Sequence, residues 1–323
     1  MRTPRMSSRR QWAVAGVAAL MMSGFASGAH AQGTHTEGGI FAVSEDACEG
    51  RKPALVYFAT HAIAMDFWST VEVGAREGAR DACIDIKWTQ DVDFSVMTTI
   101  ERMETAIAEV PDFLIITATE PGMMSKTVER ARAKGIPIIA INVEDVAPDQ
   151  GGLDYLIYIG ESPERMGYTA ADQVIKRGVK PVIKPVCLNS FPGHVGLESR
   201  CKGFADRMAE EGIESSVLDV SGGVANAEGA LGAYLVANPE ANAFFTFSAT
   251  FDTTLGVLTR TGRIETSSLV TSELNPQITE SIKAGTTLAA IDQQPYLQGY
   301  LAAILARAYV DWGLMPGADI VTG

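Results

Sequence analysis

Short apolar runs alternate with longer amphipathic stretches through most of this chain. The first run, 54–59, is predicted to be a buried strand because it is short and rich in apolar and aromatic residues. The next stretch, 67–82, places Val71, Ala75 and Ala79 four residues apart, which predicts a helix. The same alternation predicts further strands at 84–88, 113–117, 136–141, 155–159, 182–188, 214–220, 243–247, 268–271 and 288–291, and further helices at 94–108, 123–134, 163–176, 197–211, 225–237, 252–261, 276–283 and 296–312.

This alternation predicts the α/β fold class, with parallel sheets covered by helices on both faces. The predicted strands are too many for one simple doubly wound sheet, and a looser segment rich in Asp, Pro and Gly, 145–154, interrupts the pattern in its middle. We therefore predict two Rossmann-like lobes. In such sheets ligands bind beyond the carboxyl ends of the strands, so we expect a site in the cleft where these ends face each other.

Polar and aromatic residues collect at the predicted strand ends. Amide and carboxylate groups satisfy hydroxyls that both donate and accept, and aromatic rings can stack on a sugar ring, so the set suits a polyhydroxylated ligand. Phe67 and Trp68 could instead be core, and Asp66 could be a helix N-cap. The strand-end positions include His61, Asp66, Phe67, Trp68, Asn142, Glu144, Ser190, His194, Ser248, Thr250, Glu273 and Gln293.

The first 31 residues have the order of a secretory signal peptide. Four arginines precede an apolar stretch, 12–22, and Ala29-His30-Ala31 is a small-x-small cleavage signal. The apolar stretch is shorter than the roughly 20 residues that span a bilayer. A buried N-terminal helix is the alternative. Residues 32–51 show little periodicity and are predicted as a lead-in, and we expect a periplasmic protein.

The charge balance narrows the class of partner. The chain has 26 Lys and Arg against 39 Asp and Glu, and the signal segment holds four of the arginines and no acid, so the mature chain is still more acidic. This excludes the basic surfaces typical of nucleic-acid binding. No nucleophile elbow, P-loop, HExxH or dinucleotide fingerprint occurs, so we predict no enzymatic activity, no catalytic residue, no cofactor and no metal site.

Four cysteines remain after the signal: Cys48, Cys83, Cys187 and Cys201. An even count in an oxidising compartment predicts two disulfides, with three connectivities possible. Free buried thiols are the alternative.

From about residue 54 to 312 the chain resembles the periplasmic sugar-binding proteins of the ribose-binding type. The markers include Gly135-Ile-Pro-Ile-Ile-Ala-Ile-Asn142, Arg200-Cys-Lys-Gly-Phe204 and Ile291-Asp-Gln-Gln-Pro-Tyr-Leu-Gln-Gly299. The resemblance implies the type I periplasmic binding fold, with a multi-crossing hinge between a lobe of 52–160 plus 294–313 and a lobe of 161–293 plus 314–323. Relatives usually continue for another short strand, so the resemblance leaves a truncated C-terminus open.

The resemblance also implies a function and ligand contacts. It implies a monomeric solute receptor of an ABC importer that binds a sugar, polyol or similar hydroxylated solute and docks on a membrane permease. A periplasmic sensor and, more remotely, a secreted hydrolase are the alternatives. Phe67 and Trp68 match the family's aromatic pair, and Arg200 and Gln293 match ligand contacts. Asn142, Ser248 or Thr250, and Glu273 stand where the family usually has Asp, Asn and Asp, so ligand identity does not carry over.

The family topology also favours one disulfide pairing. Cys48 precedes the first strand and Cys83 follows the first helix, at the same outer end of the first lobe. Cys187 ends a strand, and Cys201 lies early in the next helix. We therefore expect bridges Cys48–Cys83 and Cys187–Cys201, the second holding Arg200 in place.

Overall fold

The computed structural model describes residues 34–36, 40–61, 66–88, 95–145 and 152–323. The predicted signal peptide, 1–31, lies outside the described residues. In chain order the elements are β1 (Thr34–Thr36), β2 (Ile40–Ala42), α1 (Glu45–Cys48), β3 (Ala54–Ala59), α2 (Asp66–Ala82), β4 (Ile84–Trp88), α3 (Val96–Glu109), β5 (Phe113–Ile116), α4 (Pro121–Ala133), β6 (Ile138–Ile141), β7 (Tyr158–Gly160), α5 (Pro163–Arg177), β8 (Lys184–Asn189), α6 (Val195–Glu210), β9 (Ser216–Asp219), α7 (Val224–Ala237), β10 (Ala241–Thr246), α8 (Ser248–Arg260), β11 (Ser268–Ser272), α9 (Pro276–Lys283), β12 (Ala289–Ile291), α10 (Pro295–Trp312) and β13 (Ile320–Val321).

The first sheet has the strand order β1-β2-β4-β3-β5-β6-β7-β13. From β4 to β13 the strands are parallel, whereas β2 pairs antiparallel with β4, and β1 pairs antiparallel with β2. Val56 and Phe58 pack with helices α2 and α10 on one face, while Tyr57 and Leu114 pack with α3 and α4 on the other. Burial on both faces explains why these strands are continuous apolar runs in the sequence.

The second sheet has the order β12-β11-β10-β8-β9 and is parallel throughout. Its two faces are covered by separate clusters, one containing Phe204 and Phe245 and the other Phe244 and Phe251. The predicted fold class, two Rossmann-like lobes with parallel sheets, is confirmed. In both sheets the strand order reverses beside the first strand of the lobe, β3 or β8, and such switch points open crevices at the carboxyl ends of the strands.

Both chain ends differ from the prediction. The segment 314–323 was expected in the second lobe, but β13 pairs with β7 in the first sheet, with Ile320 opposite Ile159. The exposed edge of β7 accounts for this, because an edge strand presents unpaired backbone groups and the Thr322 N–H donates to the Gly160 carbonyl at 2.8 Å. The described part of the lead-in likewise forms β1, β2 and α1 rather than irregular chain.

Both expected disulfides are present. Cys48 at the end of α1 bonds to Cys83 directly after α2, with their Cα atoms 4.8 Å apart. Cys187 in β8 bonds to Cys201 in α6, with their Cα atoms 5.5 Å apart. The second bridge fixes the first turns of α6 to the central part of the second sheet.

Two glycines let α5 and α6 approach closely. A Cβ built on Gly167 of α5 would lie 1.8 Å from the Arg200 carbonyl oxygen, and one built on Gly203 of α6 would lie 1.9 Å from the Glu164 carbonyl oxygen. Any larger residue at either position would force the helix backbones apart. This contact therefore sets where α6 carries the side chain of Arg200.

Along the part of the chain that the structure describes, no helix combines the length and apolarity needed to cross a membrane.

Candidate functional site

A cavity of about 270 Å³ lies between the lobes, beyond the carboxyl ends of strands in both sheets. Ligand pockets start at about 300 Å³, so this volume suits one small ring or short polyol. Its lining comes from both lobes and consists of His61, Phe67, Trp68, Asn142, Val143, Glu161, Ser190, Phe191, His194, Gly196, Leu197, Arg200, Phe247, Ser248, Ala249, Glu273 and Gln293.

Aromatic side chains form the wall contributed by the first lobe. Phe67 and Trp68, in the first turn of α2, meet edge to face with ring centroids 5.2 Å apart. Both are buried, and Trp68 is 1% exposed against 7% for Phe67. Phe67 therefore keeps slightly more accessible surface than Trp68, and both rings line the cavity.

His61 and His194 approach each other from opposite lobes. Their ring centroids are 6.0 Å apart, and His61 also packs edge-on to Trp68 at 5.0 Å. His61 Nδ1 lies 2.9 Å from the Thr117 hydroxyl, and His194 Nδ1 accepts a hydrogen bond from the Gly196 N–H in the first turn of α6. Burial is the main cause that lowers the pKa of both rings, and the charge of Arg200 adds to it. The pKa of His61 lies well below its usual value, and that of His194 is about 4. Both rings are therefore neutral at pH 7.

A buried ion pair forms the floor on the side of the second lobe. The Arg200 Nε donates to Glu161 Oε1 at 2.6 Å, and the Arg200 Nη2 contacts the same oxygen. The side chains are only 7% and 1% exposed. The guanidinium also stands 5.5 Å from the ring centre of Phe247. Burial raises the pKa of Glu161, and the charge of Arg200 opposes that rise.

A chain of hydrogen bonds joins the two lobes beside this pair. Asn142 Nδ2, after β6, donates to Gln293 Oε1 at 3.0 Å, and Gln293 Nε2 donates to Glu273 Oε1 at 2.7 Å. The Ser248 hydroxyl contacts the other Glu273 oxygen. Asn142 and Glu273 both have left-handed backbone conformations, with φ of 64° and 67°, a region that few non-glycine residues adopt.

Family comparison agrees with this two-lobed geometry. A family model described as a periplasmic binding protein domain matches residues 56–314. The chain belongs to this periplasmic binding protein family. The family resemblance found in the sequence is thereby confirmed.

Relatives of this binding protein are distant in sequence and close in fold. The xylose/arabinose-binding protein XylF of Sulfolobus acidocaldarius is 24% identical over 79% of this chain, a match that spans just under two thirds, 66%, of that relative's length. A periplasmic sugar-binding protein of Legionella pneumophila superposes with a TM-score of 0.77 at 23% identity, covering 84% of this chain and 99% of that one. A carbohydrate transporter protein of Acidothermus cellulolyticus, solved with myo-inositol, gives 0.73 at 24% identity, covering 84% and 92%.

The cavity of the binding protein gathers eight predicted residues: His61, Phe67, Trp68, Asn142, Arg200, Ser248, Glu273 and Gln293. Thr250 does not line it. Helix α8 begins at Ser248 rather than 252, so Thr250 lies in its first turn, where its hydroxyl is 3.1 Å from that of Thr246 and also bonds the Phe247 carbonyl. Asp66 is the first residue of α2, and its side chain lies outside the described part of the structure.

Glu161 is a charged lining residue that the sequence prediction missed. It directly follows β7, so the strand-end criterion applies to it, but the sequence analysis placed it at the boundary between the predicted lobes and not among the ligand contacts. Ser190 and His194 were strand-end positions that the prediction did not retain as ligand contacts, and both line the cavity. Among the described residues, no group of three or more His, Cys, Asp or Glu is placed to hold a metal ion.

Glu144 does not line the cavity, but the charge of the lining residue Glu161 affects its pKa. Burial, then Asp319 and Glu161, raise its pKa to about 7. Because the folded pKa exceeds the unfolded one, Glu144 favours folding below about pH 4.5, and this contribution is lost as the pH rises through 7. Partial exposure screens the effect, so we expect Glu144→Gln to stabilise the protein by about 1 kcal/mol at pH 8.

Urea unfolding of Glu144→Gln and the unchanged protein at pH 8 and pH 4.5 measures this difference. The gain should fall toward zero at the lower pH. An equal gain at both pH values would contradict the charge assignment, because it would point to packing instead.

Proposed function

We propose that this protein is the solute receptor of an ABC importer and binds a sugar, polyol or similar small hydroxylated solute between its lobes. The observation that carries the proposal is the cavity itself, which has an aromatic wall from the first lobe and hydrogen-bonding side chains from both lobes. Ring faces of a sugar gain contact area on Phe67, while its hydroxyls pair with Asn142, Ser190 and Gln293. The remaining predicted residues that line the cavity are His61, Trp68, Arg200, Ser248 and Glu273.

The relatives support the solute class. The Sulfolobus acidocaldarius protein carries the name of a xylose/arabinose-binding protein, and the Acidothermus cellulolyticus structure contains myo-inositol. Pentoses and inositol are of a size that suits the cavity of about 270 Å³. Because Asn142 and Glu273 depart from the family pattern, the proposal names a class of solute and not one compound.

Transport follows from closure of the lobes. A solute that contacts both lobes favours the closed form, since only that form makes both sets of contacts. The closed receptor then docks as a monomer on a membrane permease and releases the solute to it. We place this step in the periplasm, after cleavage of 1–31, and the two disulfides agree with an oxidising compartment. No bond of the solute is made or broken here.

Thermal unfolding with a panel of solutes tests the proposal. Neutral sugars, myo-inositol, amino sugars and sugar acids are each added in excess over the protein. A solute at 100 times its dissociation constant stabilises the folded state by about 2.7 kcal/mol, which raises the melting temperature by roughly 5 °C. If no hydroxylated solute raises it, the proposed ligand class is wrong.

A variant pair links any shift to the cavity. Phe67→Ala removes a ring from the aromatic wall, so we expect affinity for the active solute to fall at least about tenfold. Trp312→Ala removes a larger ring that is 67% exposed at the far end of α10, and should leave affinity unchanged. Equal affinities in the two variants would mean that the solute binds elsewhere.

A further inference from the structure

The ionisable groups lining the cavity do not balance in charge. Two carboxylic acids, Glu161 and Glu273, face one guanidinium, that of Arg200. The two lining histidines, His61 and His194, are neutral at pH 7 because burial lowers their pKa values. With both acids ionised, the lining carries one negative charge in excess.

Arg200 is already engaged by Glu161. Its Nε and Nη2 both contact Glu161 Oε1, and both side chains are almost completely buried. Each buried charge has lost its hydration and is compensated by the other, so recruiting the guanidinium to a ligand carboxylate would leave Glu161 buried without its cation. The structure therefore does not favour an acidic solute.

When both acids are ionised, Glu273 is the carboxylate without a compensating cation. Its oxygens are bonded by the Ser248 hydroxyl and the Gln293 amide, which are neutral, and the described residues place no cation within ion-pair distance of it. Burial raises its pKa, and Arg200 opposes this rise from a distance. A buried carboxylate bonded only to neutral groups either takes a proton or is compensated by a positive charge.

Two lining atoms lack a hydrogen-bond partner among the described residues. These are Glu161 Oε2, on a residue that is 1% exposed, and the Ser190 hydroxyl, on a residue that is 5% exposed. A carboxylate oxygen can only accept, so Glu161 Oε2 requires a donor. Since buried polar groups in native proteins are almost always paired, a donor supplied by the ligand would complete the site.

We propose that the solute is basic: a hydroxylated compound with one protonated amino group, of the amino sugar, imino sugar or amino polyol class. The inference rests on the proposed function and narrows its ligand. The ammonium donates to Glu161 Oε2 and Ser190, and its charge compensates Glu273. An ammonium supplies several donors and one positive charge, which a hydroxyl in the same position does not.

Calorimetric titration of matched solutes at pH 6.5 tests the inference. D-glucosamine and D-galactosamine are each compared with D-glucose and D-galactose, and with their neutral N-acetyl forms. We also compare 1-deoxynojirimycin, a cyclic amine, with 1,5-anhydro-D-glucitol, in which a ring oxygen replaces the amine. At least one amine should bind about tenfold or more tightly than its neutral partner, as expected for a charge-assisted hydrogen bond.

Isosteric variants locate the effect. Glu161→Gln and Glu273→Gln keep the shape of each side chain and remove its charge, so both should reduce or reverse the preference for the amine. Glu164→Gln, at an exposed position near the start of α5, is the control and should leave the preference intact. Melting curves without solute show whether each variant is folded.

The outcomes separate the two proposals. If a neutral sugar binds as tightly as its amine or more tightly, and Glu273→Gln leaves this unchanged, the inference is wrong while the proposed function stands. A sugar acid that binds best would also overturn it. If no solute of either charge binds, the proposed function fails, and the inference fails with it.

Discussion

Replacing Arg200 with methionine is expected to lower the free energy of unfolding by about 3–5 kcal/mol at neutral pH, the usual cost of removing one partner from a buried ion pair. Glu161 would remain 1% exposed with its cation gone. Its pKa, already raised by burial, would rise further, because Arg200 is the main group that lowers it. The loss should therefore be smaller at acidic pH, where Glu161 is protonated.

Urea unfolding measures the loss, and two further variants identify its cause. Arg200→Met combined with Glu161→Gln should recover much of the stability, because no buried charge is then left unpaired. Lys202→Met, on the same helix, removes an exposed cation that pairs with Glu164 and Asp206 and should cost less than about 1 kcal/mol. A loss at Arg200 no larger than at Lys202 would contradict the buried-pair interpretation.

The fold was largely predictable because its signal is local. Strands buried on both faces, such as β3 and β5, are continuous apolar runs, and the helices that cover them bury one regular stripe. Neither property depends on distant parts of the chain. The pairing of β13 with β7 is different, because it depends on an open sheet edge about 160 residues away, and two residues carry no periodicity.

The site was predictable as far as strand ends define it. Parallel strands bring residues such as Asn142 and Glu273 to one edge of each sheet, so their position in the sequence was enough. The ion pairs and hydrogen bonds of each side chain were not predictable, because they depend on residues from other elements. Arg200 was expected to bind the ligand, but its partner Glu161 follows a different strand, and only their contact shows that the guanidinium is already paired.

Thr250 was predicted as a ligand contact but does not line the cavity. The prediction placed it after the strand 243–247 and before the helix 252–261. In the structure the helix starts at Ser248 without a side-chain cap. The spacing of apolar residues therefore did not reveal its first turn. Ser248 and Thr250 then point in directions set by the helix, and only Ser248 lines the cavity.

The close approach of α5 and α6 leads to the second prediction with a large effect. Gly203→Ala would place a methyl group 1.9 Å from the Glu164 carbonyl oxygen, a backbone atom that no rotamer change can move. The helices must separate, and we expect a loss of about 2–3 kcal/mol in the free energy of unfolding. Because α6 carries Arg200, the same movement should draw the guanidinium away from Glu161 and weaken solute binding.

Gly229→Ala in α7 is the matched control, since a Cβ there meets nothing within 4 Å. Alanine is the better helix former by about 1 kcal/mol, so this variant should be as stable as the unchanged protein or more so. Urea unfolding and solute titration of both variants measure the contrast. If Gly203→Ala also stabilises the protein, the two helices do not pack at this distance, and the geometry that pairs Arg200 with Glu161 would have to be abandoned.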